Sequence, residues 1–146
     1  MKKLLIALII STLLSSPGTI NAATHYLFND LQAQFGERIL VKSINDSGQI
    51  AGVRLDGFSY DTATIWNNST ETPLVAPNGG ISWGLGINTA GQVAGASISG
   101  AYHATYWDGS TAIDLGTLGG LKSEAYGINN SGQIVGYSNT SRGMGA

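Results

Sequence analysis

A ten-residue stretch, "SINDSGQIAG" at residues 43–52, returns as "GINTAGQVAG" at 86–95 and again as "GINNSGQIVG" at 127–136. Aligning Ile44, Ile87 and Ile128 sets the copies 43 and 41 residues apart. A fixed period of this size marks a repeat architecture, in which one unit cannot bury its apolar face alone and covers it with its neighbour. The register holds outside the turn as well. "ATIWNN" at 63–68 corresponds to "ATYWDG" at 104–109, "PNGG" at 77–80 to "TLGG" at 117–120, and "NDLQAQFG" at 29–36 to "IDLGTLGG" at 113–120.

One period divides into four short strands, read in their best copies as a run ending at "YGIN", then "GQIVGYS", "HATYW" and "AIDLG". Between the first two, an Asn can bond the backbone two residues on, and a Gly can take positive φ. The spacing therefore predicts a tight hairpin closed by a Gly bulge, with Gly48, Gly91 and Gly132 in the left-handed position. Gly52, Gly95 and Gly136 lie inside a strand, where absence of a side chain lets a neighbour come close. The recurring apolar residues Trp66, Trp107, Ile44, Ile87, Ile128, Ile50, Val93 and Ile134 are expected in the core. Four strands every 40 to 45 residues are the sequence form of propeller blades. The expected fold is all-β: tandem four-stranded repeats of about 42 residues, propeller-like, with about three blades in an incomplete ring, since propellers close with about four to eight.

The N-terminus has a separate plan. Lys2 and Lys3 precede the apolar "LLIALIISTLL" of residues 4–14, and "SSPGTINA" ends in small residues at Ala22 and Ala23. That order is a secretory signal peptide, residues 1–22, cleaved near Ala22; the apolar run is shorter than the about 20 residues a membrane span needs, which disfavours an uncleaved anchor. The mature region, 23–146, then holds repeat units of about 26–66, 67–107 and 108–146, the last incomplete. The expected location is secreted or periplasmic, without an integral membrane span after cleavage. No cysteine is present, so the fold has no disulfide framework to rely on.

Charged residues are 11% of the chain, against roughly 25% in average domains. The seven Lys and Arg are outnumbered by nine Asp and Glu and are scattered, which argues against nucleic acid as a partner. Gly contributes 21 of 146 residues, fitting a turn-rich exported β protein. Disorder is disfavoured by a 42% hydrophobic content arranged with a period.

His103-Ala104 with Trp107, then Asp114 to Gly120, then Gly127 to Gly136 resemble the HAF repeats of bacterial exported proteins. Those units read roughly His-Ala-Phe, Trp, Asp-Leu-Gly-x-Leu-Gly-Gly and Gly-Ile-Asn-x-x-Gly-Gln-Val-x-Gly. The resemblance spans nearly everything after residue 25 and implies a propeller-like fold; it carries no catalytic residues. It departs in the first unit, where "DTATIW" and "FGER" replace the family's pattern.

Catalytic and metal chemistry find little support in the residues. His25 and His103 have no helix-spaced ligand partner, and the Asn-x-x-Gly turns offer one carboxylate, Asp46, where a calcium loop needs several. No metal or cofactor is expected. No Ser stands in a nucleophile elbow. Paired carboxylates could be drawn from Asp56, Asp108, Asp114 and Glu124, but Asp114 shares its repeat position with Asp30, which fits a turn role. A catalytic residue in a repeat protein should be singular, and so should a binding residue. Trp83 meets that condition: the other copies have Leu40 and Glu124 at its position. Trp83, with Tyr60 or Tyr102, is therefore the candidate stacking surface for a glycan or protein ligand.

The function expected is a non-catalytic exported binding or scaffolding module, with self-association as a way to complete the blade array. The alternatives are an exported propeller-type hydrolase or lyase, and a truncated remnant of a longer repeat protein.

Overall fold

The computed structural model describes residues 7–10, 26–29, 31–35, 38–56 and 60–141. The chain divides into two compact units, residues 1–37 and 38–146. In the first, β1 (Ala7–Ile10) pairs antiparallel with β2 (Tyr26–Asn29), and the five-residue helix α1 (Leu31–Phe35) follows. The cleavage position near Ala22, together with His25 and Asp30, lies outside the described residues.

The second unit is all-β and repeats itself. β3 (Ile39–Ile44), β4 (Ile50–Arg54), β5 (Thr62–Asn67) and β6 (Thr70–Leu74) form one antiparallel meander. β7 (Ile81–Ile87), β8 (Val93–Ile98), β9 (Tyr102–Asp108) and β10 (Thr111–Gly116) form a second in the same order. β11 (Gly119–Ile128) and β12 (Ile134–Thr140) make a hairpin that corresponds to the first half of a sheet. Among the described residues these sheets do not close into a ring.

The recurring turn is the expected hairpin. Each Asn N–H donates to the Gln carbonyl four residues on, at 3.0 Å in all three copies, and each Gly N–H donates back to the Asn carbonyl. Gly48, Gly91 and Gly132 have φ of 77°, 80° and 75°, a region open to Gly at little cost. The Asn side chain fills the loop, its Oδ1 accepting from two backbone amides and its Nδ2 donating to the Gln side chain. Asn45 and Asn88 also reach the next copy: Asn45 Nδ2 donates to the Asn88 carbonyl at 2.8 Å, and Asn88 Nδ2 to the Asn129 carbonyl at 3.1 Å. The turns are thus joined in a ladder along one rim of the array.

Sheets stack small side chains against large ones. The first sheet presents Ala51, Ala63, Ile65 and Leu74 to Ile87, Val93 and Trp107 of the second. The second presents Ala94 and Ala104 to the hairpin, where Ala125, Ile128 and Ile134 cover them. A buried serine clips each step: Ser82 Oγ accepts from the Ala63 amide and donates to the Leu74 carbonyl, and Ser123 Oγ does the same with Ala104 and Gly116. Because each first-strand Ile packs on the preceding sheet, Ile44 departs from its expected place in the core. It is 48% exposed, since within residues 38–141 no sheet precedes its own. Ile128 and Ile134 are only partly buried for a related reason, as two strands cover less than four.

Candidate functional site

The first strands β3, β7 and β11 share an irregularity that the repeat pattern alone does not reveal. Pairing slips by one residue between Val41 and Ser43, between Gly84 and Gly86, and between Ala125 and Gly127. Such a bulge leaves one residue unpaired and re-aims its side chain. The residues so released are Lys42, Leu85 and Tyr126.

All three line a single cleft of about 330 Å3, together with Leu40, Trp83 and Glu124 two positions earlier on the same strands; Val53, Leu55 and Asp61 complete the wall. Glycines let the strands approach closely enough to form it. A side chain at Gly84 would press on the Gly52 carbonyl at 3.1 Å, and one at Gly86 on the Gly127 Cα at 2.9 Å. The cleft volume is at the lower end of the roughly 300–1,000 Å3 range of ligand sites.

Its lining is apolar with three charges, Lys42, Asp61 and Glu124. Tyr126 stacks beside Tyr137 with centroids 5.9 Å apart, and Tyr137 Oη donates to Glu124 Oε1 at 3.3 Å. Both phenols are pushed above the usual tyrosine range, by loss of hydration first and by the Glu124 charge second. They therefore keep their protons at neutral pH and remain hydrogen-bond donors.

Trp83 is half-buried in this wall, and its ring lies 5.6 Å from that of Tyr102 at an interplanar angle of 59°. The structure thus brings Trp83 and Tyr102 together. Tyr102 is not part of the lining, and Lys122 Nζ lies 5.4 Å from its ring centroid. Tyr60 is 66% exposed and, among the described residues, takes part in no ring contact. Its sequence neighbour Asp61 lines the cleft instead.

Reading the sequence found Trp83 by its divergence between copies but passed over Lys42, Leu85 and Tyr126. They too differ in every copy, but the positions just before them, Val41, Gly84 and Ala125, differ as well, so divergence alone does not single them out. Other candidates take structural roles. Asp114 Oδ1 accepts from the Gly116 amide, and its Oδ2 lies 2.8 Å from His103 Nδ1, tying β9 to β10. Among the described residues no three His, Cys, Asp or Glu side chains gather as a metal site would require.

Comparison with family models, with curated proteins and with solved structures finds no match. What the cleft can do follows from its own residues: stacking on Trp83 and Tyr126, hydrogen bonding by Tyr126 and Glu124, and charge contacts at Lys42 and Asp61.

Proposed function

We propose that this chain is an exported, non-catalytic binding module of the HAF-repeat kind. Its sheets act as propeller-like blades, and the cleft between their first strands receives a glycan or a short peptide segment. The leading residues 1–22 serve as a cleaved signal peptide in this reading, and the mature protein works in the periplasm or outside the cell.

One observation carries the proposal: two first-strand positions that differ in every copy, Leu40, Trp83 and Glu124 and then Lys42, Leu85 and Tyr126, converge on the cleft, whereas the recurring Asn, Gly and Gln build the turns. Repeats diverge where a shared fold leaves side chains free to differ, and a concave wall with aromatic and charged groups is where that freedom serves recognition. A glycan suits the combination of indole and phenol faces with neighbouring carboxylates, and an extended peptide suits it through the same groups.

The test is a screen of oligosaccharides and peptides by intrinsic fluorescence, followed by Trp83→Ala. The variant should lose binding at least about tenfold while its unfolding free energy falls by about 2–3 kcal/mol, an aromatic pair of about 0.5–1.5 kcal/mol plus the burial of a half-exposed indole. A larger collapse of stability, or unchanged affinity, would place Trp83 among packing residues and sink the reading. Asp61 and Glu124 in the same cleft favour a second reading, an exported hydrolase or lyase. Turnover of a glycan that Glu124→Gln removes, with binding retained, would select it.

A further inference from the structure

We infer that the outer edge of β12 is a docking site for an extended strand of the β5 and β9 type, a segment reading Ala-Thr-x-Trp. In the two complete sheets, the strand after the turn carries such a neighbour in one fixed register. Ile50 pairs with Trp66 and Gly52 with Thr64; Val93 pairs with Trp107 and Gly95 with Thr105. The indole lies diagonally across the glycine: a Cβ on Gly52 or Gly95 would stand 3.1 Å from Cζ3 of Trp66 or Trp107.

β12 repeats the receiving half of this arrangement. Ile134 and Gly136 stand where Ile50 and Gly52, or Val93 and Gly95, stand in the sheets, and Gly136 packs on the Glu124 carbonyl as Gly52 does on that of Leu40. Among the described residues no strand pairs with the far side of residues 134–138. Exposed apolar surface surrounds the vacancy, with Val135 at 67%. Leu74 of β6 is 1% exposed beneath the four strands of the second sheet, whereas Ile113 and Leu115 of β10 are each 45% exposed beside the two of the hairpin. An added strand would extend that cover. An unpaired edge supplies backbone donors and acceptors to any strand, and a shaped seat for one side chain selects among them. The occupant is therefore identified by its chemistry: small or Thr residues that fit beside glycine, and a Trp placed opposite Ile134.

The inference does not depend on the cleft. Its test uses a fluorescein-labelled peptide of residues 102–109, "YHATYWDG", titrated into the purified protein and followed by anisotropy, with hydrogen exchange as a second readout. Saturable binding is expected, with slowed exchange at residues 134–138 and at least a tenfold weaker interaction for the peptide bearing Trp107→Ala. Absence of saturable binding, or equal affinity of the two peptides, would overturn the proposal. So would a protein that is already dimeric with residues 134–138 protected, since a second copy would then hold the edge. None of these outcomes alters binding at Trp83, which is read separately.

Discussion

At the scale of the residue, Asn88 does the most. It is 2% exposed, accepts two backbone amides, donates to Gln92 Oε1 and to the Asn129 carbonyl, and its own carbonyl receives Asn45 Nδ2. Asn88→Ala leaves several of these groups unsatisfied in a buried place, at about 1–3 kcal/mol. Asn129 closes the same local loop but is exposed, and among the described residues its Nδ2 donates within its own turn, to Gln133 Oε1. Asn129→Ala should therefore cost clearly less in urea unfolding, and equal losses would remove the ladder's claim to importance.

Asp114 gives a residue-scale prediction in pH. Burial draws its carboxyl up, but the hydrogen bond with His103, the Gly116 amide and the attraction of the imidazole outweigh that and hold it below the ordinary range. A lowered carboxyl stabilises the fold above its unfolded pKa of about 3.9 and loses that contribution as pH falls through the folded value. The gap between wild type and Asp114→Asn should be present at pH 5–7 and should vanish in strong acid. Both side chains are about a third exposed, so the gap should stay below about 1 kcal/mol. A gap that grows in acid would contradict the sign.

The element that decides the architecture is the hairpin between first and second strands. A Cβ on Gly95 would run into the Trp83 carbonyl and stand 3.1 Å from the Trp107 ring. Gly95→Ala must force β7 and β8 apart, and thermal unfolding should show a loss of about 3 kcal/mol or more, or no folded protein. Gly100, with nothing within 4 Å and φ of 88°, should cost only about 1 kcal/mol on the same change. These glycines show what was legible in the sequence and why. Turn type and strand order depend on neighbours within one hairpin, so the positive φ at Gly48, Gly91 and Gly132 and the close approach at Gly52 and Gly95 could be read from spacing. The Ser82 and Ser123 clips, the Asn45-to-Asn88 bond and the gathering of Lys42, Leu85 and Tyr126 in one cleft depend on how one sheet rests on the next. No local pattern specifies that stacking. Hence Trp83 was visible as an odd residue while its companions in the cleft were not, and Ile44 reads as core in the sequence although within residues 38–141 no sheet precedes its own.

For the whole molecule, stability passes from sheet to sheet through small-to-large interfaces, so each sheet depends on the one beside it. Denaturation should begin where cover is thinnest, in β11 and β12, and hydrogen exchange should be fastest there and slowest in β4, β5 and β8. Uniform exchange across the three copies would mean that the array melts as one body. The proposed leader makes a simpler prediction at this scale: N-terminal sequencing of the exported protein should begin at or near Ala23.

The ladder of asparagines also limits how such a chain can change length over generations. Each rung joins one turn to the next through an asparagine side chain, and Ser82 and Ser123 each stand six residues before the Asn of their own turn. Duplication of a whole period of about 42 residues would reproduce every rung. Insertion of one residue inside a strand would put the later side chains of that strand on the wrong face, whereas the 43- and 41-residue spacings show that the connections between strands vary in length. Genes for this architecture should therefore gain and lose strands in whole periods, with small insertions confined to the connections between strands and point substitution concentrated at the wall positions that no rung, clip or interface holds.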